Sequence, residues 1–390
     1  MTSDGRTIAG LSAAHLVTDL YGPALPAIIS LLILRLGFSY LAAGLLVTVY
    51  NAVSSLAQPG IGLIHDRKGL QLPPALSILL CGLFISLLGV APGFSAMLLF
   101  CGIAALGHAA FHPVALALTG RMSTDENRGQ VISYFVVGGN LGFALGPIAA
   151  GAAIELLGQE GILLMALPAL AMAAVFPFLV PSLPRGMPGG SGNPAAPGPA
   201  SWTPVAILVA AASLRAMVIF GSIAYLPTFL VERGFSLLAA NTLLSLTLLV
   251  GVAGQFLGGA VSDRSGRKET ILAGMAGTAV FLTGFLLIPG PAGLLSLMLF
   301  GFSLWSSFSV TLAIAHELLP GNLGLASGLL LGLSMGVGGL GVALIGALGD
   351  AIGLAGALWS LLGITLIAIP LFVVLPYPWR ARRTYSYGES

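Results

Sequence analysis

Long apolar stretches, separated by short polar or Gly/Pro-rich breaks, recur along the whole chain. A helix needs about 20 residues to cross a hydrocarbon core of ~30 Å, and windows of that length identify twelve candidate spans. Their approximate bounds are 7–33, 40–64, 72–92, 94–119, 129–155, 160–181, 203–230, 238–261, 270–289, 292–318, 322–348 and 353–376. The pattern therefore predicts an all-α membrane protein with twelve transmembrane helices. The first span is long for a signal peptide and contains His15 and Asp19, so we expect it to be retained.

Composition agrees with this pattern and excludes several classes of protein. Hydrophobic residues make up 57% of the chain and charged residues 7%, whereas soluble domains have about 25% charged residues. The net charge of +2 is too small to indicate nucleic-acid binding. Cys81 and Cys101 lie inside predicted spans, so we interpret them as packing residues and expect neither a disulfide framework nor a zinc site.

Basic residues predict the orientation in the membrane. Only Arg35 and Arg233 lie in loops on one side of the twelve predicted spans. The loops and ends on the other side contain Arg6, Arg67, Lys68, Arg121, Arg128, Arg185, Arg264, Arg267, Lys268, Arg380, Arg382 and Arg383. By the positive-inside rule that side is cytoplasmic, so both termini and the central linker are expected in the cytoplasm. The membrane is expected to be the inner (plasma) membrane of the cell.

The chain is composed of two similar halves. "RLGFSYLAAG" at residue 35 matches "ERGFSLLAAN" at 232, and "GLIHDRKG" at 62 matches "GAVSDRSG" at 259, both with an offset of 197. A Pro/Gly-rich stretch between the halves has the composition of a flexible connector. We therefore predict an N-terminal six-helix bundle (1–182), a cytoplasmic linker (183–202), a C-terminal six-helix bundle (203–378) and a cytoplasmic tail (379–390). A binding site between such repeats is expected near the bilayer midplane.

Three ionisable residues are predicted at this midplane depth. Asp19 and Arg215 each lie about 12 residues into their spans, roughly 18 Å from the cytoplasmic end, and His108 lies about 21 Å from the outer end. His112 follows His108 by four residues and shares its helix face. Because a buried charge in a membrane is costly, we expect these groups to line a wet cavity, where Asp19 and a histidine exchange protons and Arg215 binds an anionic group. The alternatives are histidines that only bridge neighbouring helices, and a static ion pair of Asp19 with Arg215.

Several other motifs in the sequence do not indicate a catalytic or nucleotide-binding site. The spacing of His108 and His112 matches a zinc-protease helix, but that motif needs Glu where this chain has Ala109. "GVGGLG" at 336–341 fits a dinucleotide pattern but lies in an apolar helix with no preceding strand, so helix packing explains it better. No phosphate-binding loop is present in the sequence, so ATP-driven pumping is not supported. His316 and Glu317 end the tenth span and are interpreted as a gate or an interfacial cap.

The two loop motifs, "GLIHDRKG" and "GGAVSDRSGRK", resemble the repeated signature of the major facilitator superfamily. "HLVTDLYGPALPAI", "GHAAFHP" and "VGGNLGFALGP" resemble the fosmidomycin resistance group of that superfamily. The resemblance implies two pseudo-symmetric six-helix bundles with a pathway lined by the first, fourth, seventh and tenth helices. It also implies a conformational latch at the loop motifs, comprising Gly62, Asp66, Arg67, Gly259, Asp263, Arg264 and Arg267, and an antiporter motif in the fifth span, comprising Gly142, Gly146 and Pro147.

Together these observations predict a secondary transporter, not an enzyme, that exports a small drug-like or anionic compound against proton entry by alternating access. Proton coupling is assigned to Asp19, His108 and His112, and substrate binding to Arg215, His15, Tyr21, Asn51, Asn140, Tyr225 and Trp305. The expected partners are a small-molecule substrate, protons and the lipid bilayer, with no cofactor, metal or nucleic acid, and the molecule is expected to be a monomer. Proton-linked uptake of an organic anion and a membrane receptor without flux are the alternatives.

Overall fold

The structure is a computed structural model that describes residues 3–68, 72–123, 127–180, 202–320 and 322–379. These residues form helices and no strand. The N-terminal helices are α1 Ser3–Asp19, α2 Tyr21–Leu36, α3 Tyr40–Lys68, α4 Pro74–Ser86, α5 Phe94–Arg121, α6 Arg128–Leu157 and α7 Ala166–Leu179. The later helices are α8 Thr203–Glu232, α9 Leu237–Ser265, α10 Arg267–Leu287, α11 Gly290–Ser306, α12 Phe308–Leu318, α13 Leu323–Ser327 and α14 Met335–Val374. Short 3-10 segments cover Leu87–Val90 and Gly158–Met165, and a π-helical segment covers Gly328–Ser334.

The number of membrane crossings agrees with the twelve predicted spans. Nine helical stretches of the described chain are long and apolar enough to span a bilayer, and Pro74–Val90 is a shorter apolar stretch. Two of the nine, Gln130–Leu179 and Gly324–Val374, have 50 and 51 residues, about twice the length of one crossing. Each is interrupted at a glycine with positive φ, Gly158 (64°) or Gly353 (80°). Because only glycine adopts this conformation without strain, each stretch divides there into two crossings.

Local sequence explains two further interruptions. Pro23 has no N–H to donate to the carbonyl of Asp19 four residues earlier, and helix α1 ends at Asp19. Ser307 separates α11 from α12, and its carbonyl accepts a hydrogen bond from the Arg215 side chain. Both interruptions lie inside predicted spans and each bears on an ionisable residue of the candidate site.

The described residues form two compact units. The first unit contains α1–α7 together with Ile223–Ser245 and Val342–Ala347, and the second contains the rest of the described chain. The units therefore do not coincide with the predicted bundles, because the C-terminal part of α8, the N-terminal part of α9 and a short segment of α14 belong to the first unit. Nearly all of the predicted linker and tail lies outside the described residues.

Close helix contacts organise each unit. In the first, α6 lies so tightly against α1 and the residue that follows it that a Cβ on three α6 glycines would come within 2.0–2.2 Å of carbonyl oxygens. These glycines are Gly138, Gly142 and Gly146, which face the carbonyls of Ser12, Leu16 and Leu20. In the second unit, Gly254 and Gly258 of α9 meet carbonyls of α11 in the same way. Gly338 and Gly341 of the "GVGGLG" stretch likewise contact α8 residues closely, as the helix-packing interpretation of that stretch predicted.

Candidate functional site

Asp19 lies at the end of α1, and its carboxylate faces three imidazole rings. Oδ2 of Asp19 lies 3.0 Å from Nε2 of His15, one turn earlier on α1. Oδ1 lies 3.1 Å from Nε2 of His112 and 3.4 Å from Nε2 of His108, both on α5. All four residues belong to the first unit, and we call their side chains the histidine cluster.

In two of the three rings, a hydrogen bond to a backbone carbonyl shows that Nδ1, the nitrogen facing away from Asp19, carries a hydrogen. Nδ1 of His15 lies 2.8 Å from the carbonyl oxygen of Phe135 on α6, and Nδ1 of His112 lies 2.9 Å from the carbonyl oxygen of His108. A carbonyl oxygen can only accept, so both Nδ1 atoms donate and carry hydrogen. In a neutral ring the Nε2 lone pair would then face the carboxylate, which is repulsive. With Asp19 ionised, these contacts are attractive only when each Nε2 faces the carboxylate with a positive charge, and a proton on Nε2 supplies it.

The third ring has a different partner. Nδ1 of His108 shares a 2.8 Å hydrogen bond with the hydroxyl of Ser54 on α3, and the ring also approaches Tyr50 at 5.6 Å between centroids. A hydroxyl can donate or accept, so His108 is free to adopt either neutral tautomer. This ring can therefore change its protonation without losing its partner.

Helix α6 leaves room for the cluster at Gly139. A Cβ there would lie 2.4 Å from Cε1 of His15 and 2.8 Å from Oδ2 of Asp19. The exposed side-chain fractions are 10% for His15, 16% for Asp19, 19% for His108 and 24% for His112. The cluster is therefore largely removed from water but not sealed, which is typical of functional ionisable groups inside membrane proteins.

The cluster combines residues that the sequence assigned to different roles. Asp19, His108 and His112 were predicted together as proton-coupling residues, and the structure brings their side chains into contact. His15 was predicted to bind substrate, but its ring contacts Asp19 and stacks on Phe135 at 4.0 Å between centroids. The i,i+4 spacing of His15 and Asp19 on one helix was a signal that could have placed His15 in the cluster.

Other predicted substrate contacts of the first unit lie at different sites. Tyr21 is fully buried and its hydroxyl donates to the carbonyl of Met165. Asn51 donates to the carbonyl of Val47 in its own helix. Nδ2 of Asn140, on α6, is buried without a hydrogen-bond partner in the described chain. Of these three residues, Asn140 is the one whose side-chain donor is left for a ligand.

Tyr225 belongs to the first unit although it lies on α8. Its side chain is fully buried, and its hydroxyl lies 2.9 Å from the carbonyl oxygen of Tyr40 and 3.1 Å from that of Val342. The hydroxyl has one hydrogen to share between these two acceptors. The hydroxyl hydrogen of Tyr225 is therefore engaged within the protein in this conformation, where the residue joins three helices.

Arg215 lies in the second unit and is 3% exposed. Its Nη1 donates to the carbonyl of Ser307 (2.8 Å), to the Ser307 hydroxyl (3.3 Å) and to the Thr311 hydroxyl (2.7 Å). Its Nε is buried without a hydrogen-bond partner in the described residues, and Phe308 lies against the guanidinium at 5.3 Å. One edge of the guanidinium thus supports the break between α11 and α12, and the remaining donors can serve an anion.

Trp305 precedes this break. Its indole packs on Phe308 at 5.4 Å between centroids and covers Gly251 of α9, where a Cβ would approach the indole to 2.6 Å. It is partly exposed, so a contact with substrate, as predicted, is compatible with its position.

The second loop motif forms an ionic contact that the sequence identified in part. Arg267 lies 3.1 Å from Asp263 through Nη1 and 2.5 Å from Glu317 of α12 through Nε. Asp263 is 68% exposed, whereas Glu317 is 34% exposed and also accepts a short hydrogen bond from Tyr377. Glu317 is therefore the stronger partner of Arg267, and Arg264 is exposed.

The other predicted latch residues can be placed only in part. Gly259 lies against the Ser309 hydroxyl, where a Cβ would be 3.3 Å away. Gly62 lies beside Pro113 of α5 at 3.9 Å by the same measure. The side chains of Asp66 and Arg67 lie outside the described part of the structure.

Functional residues that sequence reasoning missed are Ser54, Gly139 and the Phe135 carbonyl in the first unit, and Ser307 and Thr311 in the second. Serine, threonine and glycine are abundant in transmembrane helices, so their types alone gave no signal. One feature of the cluster also differs from expectation. Although no metal was expected, ligand atoms of His15, Asp19 and His112 lie within 4.8 Å of one another, a spacing compatible with a metal ion.

Comparisons with known proteins agree with the fold. A sequence profile described as Major Facilitator Superfamily matches residues 7–339 and 240–385. The fosmidomycin resistance protein of Escherichia coli (strain K12) is 32% identical over 367 residues, which cover 90% of this chain and 88% of that protein. The uncharacterized MFS-type transporter YfnC of Bacillus subtilis (strain 168) is 30% identical over 394 residues, covering 96% and 94%.

A solved structure has the same fold. It is an inward-facing, occupied crystal structure of a bacterial homologue of the human lysosomal transporter Spinster, with a TM-score of 0.81. The two proteins are 15% identical, and the alignment covers 94% of this chain and 96% of that one.

Proposed function

Because the chain belongs to the major facilitator superfamily, and is therefore a membrane transporter and not an enzyme, we propose that it exports a small drug-like or anionic compound in exchange for protons. The relative named for fosmidomycin resistance supports export of a drug-like compound. The histidine cluster is the observation that supports proton coupling.

The cluster couples protonation to the contact between helices. The Nδ1 atoms of His15 and His112 are held by carbonyl oxygens, so the proton that each ring can exchange is the one on Nε2, which faces Asp19. When these protons leave, lone pairs and a carboxylate face each other, and the contact between α1 and α5 is destabilised. Loss of protons therefore favours a rearrangement of these helices, and proton binding restores their contact.

Arg215 is the proposed anchor for an anionic group of the substrate. A guanidinium offers several donors in one plane and binds oxygen anions well. Among the residues that the structure describes, Ser307 and Thr311 accept hydrogen bonds from Nη1 alone. Asn140 and Trp305 are the remaining candidates for contact with substrate. The motif of Gly142, Gly146 and Pro147 supports export, since the resemblance links it to proton-driven exporters.

The transport cycle is alternating access, with the predicted latch stabilising one conformation. The ion pair of Arg267 with Glu317 belongs to this latch. In the proposed arrangement the protein is a monomer in the inner (plasma) membrane with both termini in the cytoplasm, as the basic residues predict.

Flux into and out of proteoliposomes under an imposed pH gradient tests this function, with fosmidomycin as the phosphonate probe. Protons moving in one direction should drive the probe in the other. Asp19→Asn and His108→Ala should abolish acceleration by the gradient while exchange of labelled for unlabelled probe continues, which shows that the variants still fold and bind. Glu160→Gln, an exposed carboxylate outside the cluster, is the matched control. Undiminished coupling in both cluster variants, or probe and protons moving together, would contradict the proposal.

A further inference from the structure

We propose that the histidine cluster is also a binding site for a divalent transition metal ion, represented by Zn²⁺, and that the bound metal arrests transport by excluding the coupling protons. The binding of metal stands on the geometry of the cluster alone, whereas the arrest of transport rests on the proposed function.

The donor atoms are of the type that such an ion prefers. Zn²⁺ is bound by neutral imidazole nitrogens and carboxylate oxygens, and sites with three protein ligands keep the fourth tetrahedral position open for water or another ligand. Here the Nε2 atoms of His15 and His112 lie 3.0 and 3.1 Å from oxygens of Asp19, and the ligand atoms of these three residues all lie within 4.8 Å of one another. His15, Asp19 and His112 are therefore the proposed ligands, and His108 lies beside them with its Nε2 3.4 Å from Oδ1 of Asp19.

The ring nitrogens that face away from Asp19 have hydrogen-bond partners like those of histidines in known metal sites. Metal-bound histidines usually donate their other ring N–H to a carbonyl or carboxylate, which fixes the tautomer that can ligate. His15 and His112 donate Nδ1–H to the carbonyls of Phe135 and His108, and this leaves both Nε2 lone pairs directed at Asp19. The repulsion between each Nε2 lone pair and the Asp19 carboxylate is removed by a metal ion bound between them, just as it is by a proton.

Charge and access favour the same conclusion. With three neutral imidazoles and one carboxylate, the cluster carries a charge of −1, which a divalent cation converts to +1. Oδ1 of Asp19 faces the Nε2 atoms of His112 and His108 at 3.1 and 3.4 Å, so loss of the protons between them leaves a carboxylate lone pair for a metal. The side chain of His112 is 24% exposed, so the cluster is not sealed from solvent.

The proton balance determines how metal and protons compete. Each imidazolium that ligates the metal releases its Nε2 proton to solvent, so binding becomes weaker as the pH falls. Among the described residues, the other titratable groups near the cluster are Tyr50 of α3, beside His108, and Cys81 of α4, which is 3.6 Å from the Tyr50 hydroxyl. Both are neutral donors that add no charge to compete for the ion.

Binding of Zn²⁺ and Co²⁺ to the purified full-length protein, without a polyhistidine tag and without substrate, tests the site. Titration calorimetry should give one ion per chain at about pH 8 and an affinity at least tenfold weaker at about pH 5.5. Bound Co²⁺ should show the intense visible absorption of tetrahedral nitrogen and oxygen coordination. His112→Ala and Asp19→Asn should each weaken binding by about 100-fold or more. His316→Ala is the matched control, because this histidine contacts Ser327 in the second unit and should not affect binding.

Flux separates this proposal from the proposed function. Zn²⁺ should inhibit proton-driven flux of the wild type, and lower pH should relieve the inhibition. Absence of a cluster-dependent binding site in a protein that still transports would overturn the metal site alone. Binding to a protein that shows no proton-driven flux would overturn the function alone. If labelled Zn²⁺ is itself carried across the membrane, the inhibitory role is wrong, since the metal is then a cargo.

Discussion

Gly139 of α6 lies so close to Asp19 of α1 that a methyl group on its Cα would be 2.8 Å from the carboxylate oxygen Oδ2. The same methyl would be 2.5 Å from Nε2 of His15, so it would occupy the space in which the two side chains meet. The contact between the Asp19 carboxylate and the His15 imidazole, both on α1, therefore depends on a residue of another helix that has no side chain.

Gly139→Ala should separate His15 from Asp19 and reduce proton-driven flux at least tenfold. Overpacking in a tight interior typically costs about 1–3 kcal/mol, so the variant should remain folded with a lower free energy of unfolding. Flux in proteoliposomes and thermal unfolding in detergent measure the two effects. Gly363→Ala is the control, because in the described structure the added methyl would have no neighbour within 4 Å apart from the adjacent backbone of its own helix. Wild-type flux in Gly139→Ala would show that coupling does not need this contact.

Ser54→Ala should leave the His108 ring less firmly oriented, while Asp19, the charged residue that faces its Nε2, stays in place. The variant loses the 2.8 Å hydrogen bond to Nδ1, and we expect a moderate fall in proton-driven flux, about three- to tenfold, with a shifted pH profile. Ser86→Ala is matched in size, since that hydroxyl bonds only to a carbonyl of its own helix in the described structure. An unchanged pH profile in Ser54→Ala would exclude Ser54 as a positioning residue.

Hydropathy and repeats were enough to predict the fold, because a bilayer fixes the length and polarity of every crossing. The all-α fold predicted from hydropathy and the family indicated by the two loop motifs are both confirmed. The bounds of the compact units could not be predicted, because hydropathy does not show that parts of α8 and α14 contact α3. The Tyr225 hydroxyl that joins these three helices bonds to carbonyls, and backbone groups leave no trace in a sequence.

Helix periodicity and the cost of burying a charge predicted only those parts of the candidate site that depend on spacing along one helix or on depth in the membrane. The spacing of His108 and His112 placed them on one face, and burial of charge indicated a partner such as Asp19. The partners of Arg215 could not be predicted from the sequence. Ser307 and Thr311 accept its hydrogen bonds where one helix ends and the next begins, and no proline or glycine at Ser307 marks that break. Glu317 was identified as a gate or cap, but its pairing with Arg267 depends on how α10 and α12 pack, which spacing does not give.

Thr311→Val should destabilise the second unit without removing the charge of Arg215. The hydroxyl accepts a 2.7 Å hydrogen bond from Nη1, and hydrogen bonds between membrane helices contribute about 0.5–2 kcal/mol. The free energy of unfolding should fall by that amount, while the affinity for the phosphonate probe changes less than threefold. Arg215→Gln, in contrast, should weaken probe binding at least tenfold. Equal effects of the two variants on probe affinity would contradict a separate role of the guanidinium in anion binding.

The ion pair of Arg267 with Glu317 should matter more than that of Arg267 with Asp263. Asp263 is 68% exposed, and water screens an exposed pair to about 0–1 kcal/mol, whereas Glu317 is less exposed and shares the contact with Tyr377. Glu317→Gln should therefore shift the labelling of single cysteines on the two membrane faces more than Asp263→Asn does. A double-mutant cycle with Arg267→Gln should assign the coupling energy to Glu317. Larger coupling to Asp263 would reverse the assignment.

Tyr225→Phe should lower stability and leave ligand binding nearly intact, because the hydroxyl serves the backbone of α3 and α14. Gly44 and Gly346 leave room for this hydroxyl, since a Cβ on either would approach its oxygen to 2.0 or 2.3 Å. Removing the hydroxyl leaves two buried carbonyls without this donor, and we expect a loss of about 0.5–2 kcal/mol in the free energy of unfolding. Tyr134→Phe is the matched control, because Tyr134 is 53% exposed and its hydroxyl accepts a hydrogen bond from Gln130. A variant with unchanged stability but tenfold weaker binding of the phosphonate probe would instead restore Tyr225 to the substrate site, since the hydroxyl would then act on the ligand in another conformation.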